Sequence, residues 1–456
     1  MKESKYTYRS IFYSSAIFLL LVLIVSCENN ENIFNLRPFA NNNGQVPTMA
    51  EYSGPLFELN HNYPKTQPEA PVDPPWIAVL DGGTMDQENA EAYVNALKDF
   101  ISEDMRTLIF DYENWNAEDR GWFNQPWLGP IRESIHGMFL GTDTPKELFD
   151  GTGLTVDLLD YVLVYYDNLG GFTVGQVWGE TALVPQLQNN EAQFPEYTII
   201  IKAAFSVLTS EEWPVLERSA VWPLYIVLPD SETGEPEVVN ALMLQWDIIV
   251  KDSQGAPDTN WVYSTLVYDK DAPGEDAWDK MVPLGAMWGN DPDVNSAEDP
   301  DAPLAQTWIN PDAPFYSTTQ LGWGGRLSGP NDGAVVAPAE INGEMVDEIA
   351  ASSCLSCHSV AAYMQESFLL PGPSDPPNTD IPTIEDGALV LFEPGSEDWF
   401  DWFQSRPGNV PKDMGTIPLD YDLVFSFKAL PAWEAAISAI EDTRERPYHG
   451  IEVIMP

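Results

Sequence analysis

Between residues 197 and 269 the chain repeats one pattern, a run of β-branched and aromatic residues followed by a cluster of turn formers. The runs are YTIIIKAAFSVL (197–208), WPLYIVLP (222–229), ALMLQWDIIVKD (241–252) and NWVYSTLVYD (260–269). Branching at Cβ and flat rings suit a pleated surface, so each run reads as a strand. The separating pieces, such as DSETGEPE and DSQGAPD, are turn-rich and hold no helical crossover. Strands joined this way have to double back on one another, which predicts an antiparallel sheet or sandwich. No internal repeat of fixed period runs through the chain.

The β-rich pattern occupies only the middle. Ahead of it, MDQENAEAYVNALKDFIS (85–102) places Ala90, Tyr93, Val94, Leu97 and Ile101 on one face of a helix. An aromatic, proline-rich block follows at 112–139. Residues 28–75, rich in Asn, Pro and Gln, read as a flexible tether with PEAPVDPPW as its stiff end. The stretch 289–340 is loop-like and leads into a second region that ends in a helix near PAWEAAISAIED (431–442). The expected fold class is α+β and multidomain. A β-rich domain with flanking helices and loops spans 76–340, and a mainly α-helical domain spans 341–456.

With 71 acidic residues against 21 basic ones, the formal net charge is −50. Such a surface repels nucleic acid and anionic headgroups, which argues against DNA or RNA as a partner. The acids are spread along the whole chain, a distribution that serves solubility; steering of a cationic partner is the alternative. The N-terminus reads as an export signal, because Lys2, Lys5 and Arg9 precede the apolar run IFYSSAIFLLLVLIV (11–25). The following IVSC resembles the lipobox of bacterial lipoproteins. That resemblance implies a signal peptide over 1–27, acylation of Cys27, and a body tethered to a membrane of the cell envelope. The site is the periplasmic side or the outer membrane, and Glu28 after the cysteine leans toward the latter. An uncleaved membrane anchor is the alternative.

Of only three cysteines and four histidines, two cysteines and one histidine fall inside five positions, Cys354-Leu-Ser-Cys357-His358. A disulfide here would close a very small loop and stabilise little. A thioredoxin-like pair expects a βαβ frame, and structural zinc needs two more Cys or His ligands at a plausible spacing; the sequence shows neither. Haem attachment uses all three side chains. Positions i and i+3 lie side by side on a helix, matching the two vinyl groups, and the next residue offers its imidazole to the iron. Ser352 and Ser353 are suitable N-caps for that helix.

The pattern resembles c-type cytochromes over roughly residues 341–445. The resemblance implies one covalently attached haem c with His358 as its proximal ligand. Met414, in NVPKDMGTIPLDYD, matches the place of the distal methionine in class I cytochromes; His136 or an open sixth position are the alternatives. Met364 follows His358 too closely to reach across the iron, and His61 and His449 are weaker candidates. Arg326, in GWGGRLSGP, would pair with a haem propionate or form a surface salt bridge. Trp399, Phe400, Trp402 and Phe403 would pack around the haem edge or form a generic core. The whole chain is similar to large bacterial single-haem proteins in which IHG, WGND and GRLSGP stretches recur. That similarity gives class and cofactor without a substrate. No nucleotide-binding glycine loop, G-x-S-x-G elbow or H-E-x-x-H is present. The expected function is a lipid-anchored electron carrier serving a redox partner protein. A haem oxidoreductase with a small-molecule substrate in the β-rich domain, and a haem-based ligand or redox sensor, are the alternatives.

Overall fold

Each of the four β-branched runs forms a strand of one antiparallel sheet. The structure, a computed structural model, describes residues 36–144, 146–149, 151–229, 231–294, 302–318, 339–341, 344–346, 354–363 and 397–442. Cys27, Arg326, Ser352, Ser353, Met364 and His449 lie outside the described residues, as does the apolar run 11–25.

The strands are β1 (Phe139–Thr144), β2 (Leu158–Tyr166), β3 (Ile199–Ser206), β4 (Val221–Ile226), β5 (Glu237–Lys251), β6 (Trp261–Tyr268), β7 (Met281–Met287) and β8 (Thr307–Ile309). Their order is β1-β2-β3-β5-β6-β7-β8, with β4 alongside β5. At 15 residues, β5 is long enough to pair with β3 over Leu242–Val250 and with β4 over Glu237–Leu242. Side chains alternate between two cores. Ile199, Ile201, Ala203 and Phe205 of β3 enter one, while Ile200 and Ala204 enter the other. Burial on both faces explains why these strands read as nearly continuous apolar runs. Among the described residues, helices and loops rather than a second large sheet provide the cover.

On the first face lie α1 (Pro75–Val79), which buries Trp76, and α2 (Ala90–Phe110). The buried stripe of α2 runs through Tyr93, Val94, Leu97, Ile101, Met105 and Leu108, the three-to-four spacing of one helical face. The helix starts at Ala90, the first residue of its apolar stripe, rather than at 85, because the Asp86 carboxylate accepts from the N–H groups of Glu88 and Asn89, holding a turn there.

On the second face lies α3 (Asn168–Trp178), capped by Asp167, which accepts from Gly170 N at 2.8 Å. Gly171 and Gly175 let α3 approach closely, since a Cβ there would collide with Phe123 or Tyr63. The chain after 338 contributes β9 (Ala339–Ile341), β10 (Glu344–Val346), α4 (Cys354–His358), β11 (Ala362–Tyr363), α5 (Glu397–Trp402), β12 (Ile417–Pro418) and α6 (Leu430–Asp442).

The sheet is the β-rich part that the sequence predicts. A mainly α-helical C-terminal domain is not what the described residues form. They make short helices, a two-residue β11–β12 ladder and a π-turn, Phe425–Ala429, that runs into α6. Leu355, Leu419, Tyr421, Phe425 and Leu430 are buried in the same core as Tyr166, Trp178, Trp261 and Tyr263. These apolar side chains thus find their cover on the sheet. The expected boundary between 340 and 341 falls inside β9. Among the described residues, no helix is long and apolar enough to cross a membrane.

Candidate functional site

The one-turn helix α4 divides its residues by side. Leu355 and Ser356 are fully buried, whereas Cys354, Cys357 and His358 are half-buried. Positions i, i+3 and i+4 share a helix face, so the three motif side chains stand together on the more open side. Downstream, Leu419 N donates to Ala361 O at 2.9 Å, which continues the β11–β12 ladder and pins the end of the motif. No disulfide joins Cys354 to Cys357. Burial, followed by the nearby charge of Asp247, pushes the Cys354 thiol up to about 12. A reactive low-pKa thiolate needs the opposite environment.

His358 is held by a backbone carbonyl. Its Nδ1 lies 2.9 Å from Tyr421 O. A carbonyl only accepts, so Nδ1 carries the proton and Nε2 keeps its lone pair for a metal. Burial, the largest influence, lowers the imidazole pKa to about 4, which keeps the ring neutral. The Tyr263 ring packs at 4.7 Å, and its hydroxyl donates to the same Tyr421 carbonyl at 3.1 Å.

That carbonyl is aimed by an unusual stretch of backbone. Asp420 and Tyr421 have φ of +49° and +69°, two consecutive non-glycine residues in the left-handed region. Each costs on the order of 1–3 kcal/mol, so the surroundings have to hold them. Asp420 accepts from Trp261 Nε1 at 2.8 Å and Phe194 N at 2.7 Å, and pairs with Lys251. Asp422 accepts from Tyr166 Oη at 2.7 Å and from the N–H groups of Val424 and Phe425. Aromatic side chains of β2 and β6 therefore fasten the segment that presents a carbonyl to His358.

A second group of aromatic residues meets the other cysteine. Trp402 and Phe403 are fully buried with Val360, and Cys357, Phe400 and Phe427 pack against them. The sequence singles out Phe400, Trp402 and Phe403, and they do gather at the motif; the side chain of Trp399 is not among the described ones.

The candidates for a sixth ligand are separated. His136 stacks on Trp222 at 4.2 Å and 3°, packs on Tyr112 at 4.4 Å, and has Nδ1 3.0 Å from Pro223 O. Trp222 belongs to the first core and Tyr263, beside His358, to the second. Their β5 partners, Ala241 and Ile249, are eight residues apart (249 − 241). That is roughly 26 Å at about 3.3 Å per residue. The two histidines thus belong to opposite faces of the sheet. Met414 is 99% exposed, three residues before β12, the strand that pairs just past His358. His61 stacks on Phe39 and lines a cavity of about 920 Å³ with Tyr112, Trp115, Glu118 and Gln176.

The residues present fit an attached haem. Two thiols and an imidazole share one half-buried face, the imidazole has the ligating tautomer, and aromatic side chains pack beside both Cys357 and His358. Sequence reasoning missed Tyr263, Asp420, Tyr421 and Asp422. The alternation of acids and apolar residues in PLDYDLVF was the available signal. No protein-family model, curated protein or solved structure matches this chain. The resemblance to c-type cytochromes rests on Cys354, Cys357 and His358 in the sequence.

Proposed function

We propose that this chain is a lipid-anchored, extracytoplasmic c-type haem protein that passes single electrons to or from a redox partner protein. Cys354 and Cys357 would hold haem through two thioether bonds, each formed by adding an S–H across one vinyl group to give a C–S and a C–H bond, and His358 Nε2 would offer its lone pair to the iron. When bound, haem supplies a one-electron ferric–ferrous couple. The chain's own residues orient the imidazole through Tyr421, exclude water on the sheet side through Leu355 and Tyr263, and cover the second thioether with Trp402 and Phe403. Acylated Cys27 supplies the anchor. The observation that carries this proposal is the shared, half-open face of Cys354, Cys357 and His358 on a helix whose other side is locked in the core.

The test is the visible spectrum of protein made in a host with haem-attachment machinery. A Soret band is expected, and the double variant Cys354→Ala, Cys357→Ala should lose it entirely. An unmodified wild-type spectrum would contradict the proposal. A second function, a haem oxidoreductase acting on a small molecule, is favoured by the full exposure of the Met414 side chain and by the cavity near His61. Met414→Ala separates the two. Conversion of a low-spin to a high-spin spectrum supports the carrier, whereas a wild-type protein that is already high-spin supports the enzyme.

A further inference from the structure

The second face of the sheet is apolar through Val162, Val164, Ile200, Ala204, Ile249 and Val267, yet charged groups stand in its middle. Lys202 of β3 and Asp247 of β5 are direct cross-strand partners, and Asp247 is in turn opposite Thr265 of β6. The Lys202 Nζ lies 3.3 Å from Asp247 Oδ2. Thr265 Oγ1 and Gln245 Nε2 both donate to Asp247 Oδ1, at 2.6 and 2.8 Å. The carboxylate is thus fixed by three donors from three strands. It is 13% exposed, while the Lys202 side chain is 39% exposed.

An ion pair on an apolar face is costly to desolvate and is weak grounds for stability. Its position gives it another use. Thr265 is two residues from Tyr263 on the same face of β6, about 7 Å at the usual strand rise. The Tyr263 ring packs 4.7 Å from that of His358. The pair therefore sits one row of side chains from the motif histidine.

We propose, on the premise that haem is held at Cys354, Cys357 and His358, that Lys202 and Asp247 set its reduction potential. Reduction places one extra electron at the site. A fixed positive charge nearby stabilises the reduced form, and a fixed negative charge stabilises the oxidised form. Lys202 raises the potential and Asp247 lowers it, and Thr265 and Gln245 hold the carboxylate where both charges act together. Each is a positioning residue for the field at the iron, with no part in the covalent attachment.

The measurement is the midpoint potential of the haem-loaded full chain, titrated optically with one-electron chemical mediators. Lys202→Gln should lower the ferrous-to-ferric ratio at fixed ambient potential about tenfold, which is ~59 mV for a one-electron couple. Asp247→Asn should raise it by a similar factor, the double variant should return close to the wild type, and Lys202→Arg should leave it nearly unchanged. Opposite shifts with an unaltered axial-ligand spectrum establish the inference. Shifts of the same sign, or none in variants that keep the Soret band, overturn it while leaving haem attachment intact. Absence of the band from the wild type overturns the attachment itself, and this inference with it.

Discussion

The first face of the central sheet buries more apolar side chains than the second, and the two faces treat polar groups differently. On the first face α2 lays a regular stripe, from Tyr93 to Leu108, over the strands, and His136 sits stacked in a close aromatic sandwich. On the second, the cover includes a one-turn helix, a two-residue ladder and two left-handed non-glycine residues, and an ion pair stands among the apolar side chains. A region selected for stability alone has little reason to hold strained backbone and buried charge. The first face buries charge too, in Glu133 beside His136 and Asp252 beside Tyr93, so it is the cysteine and histidine motif that makes the second face the proposed working one, and this assignment can be broken or sharpened by mutation.

The largest effect is expected at Asp420. Asp420→Ala strands Lys251 and leaves Trp261 Nε1 and Phe194 N without their acceptor. The loss should be about 3–5 kcal/mol in denaturant unfolding. Haem-loaded protein should also show a changed axial-ligand spectrum, because the Tyr421 carbonyl loses its support. Leu97→Ala on the first face should cost about 2–5 kcal/mol by the same measurement. Its spectrum should stay that of the wild type, and a change there would erase the distinction between the faces.

The pH response of the first face is the next test. Burial lowers the His136 pKa from 6.5 to about 3. The unfolded chain therefore takes up the proton first, so the contribution of neutral His136 is complete above about 6.5 and is lost as pH falls toward 3. His136→Phe keeps the stacking and removes the titration. Unfolding at pH 4.5 and 7 should show a smaller acid loss in the variant than in the wild type. Smallest is Tyr263→Phe, which deletes one hydrogen bond to Tyr421 O and should cost about 0.5–1.5 kcal/mol. A larger loss would mean that the hydroxyl, rather than Asp420 and Asp422, holds the turn.

What the sequence revealed divides along the same line. β3 to β6 were legible as β-branched runs between turns, and α2 from its apolar spacing. β2 was not, because LLDYVLVYY is apolar on both faces and shows no period; β7 was hidden by Pro283 and Gly285. The cysteine and histidine motif was legible because its chemistry is local. The Tyr421 carbonyl was not, since a backbone oxygen carries no side-chain signature. Lys202 and Asp247 are 45 residues apart and meet only through the β3–β5 register. The helical domain expected after 341 failed for a related reason: its apolar residues had a partner surface elsewhere in the chain.

The most direct test of the central claim is the mass of the mature protein under denaturing conditions, taken with that of the peptide spanning Cys354 to His358. One haem added to that peptide, surviving denaturation and absent from the Cys354→Ala, Cys357→Ala variant, is the expected result. A peptide at its unmodified mass, from a host that attaches haem to other proteins, would contradict the account.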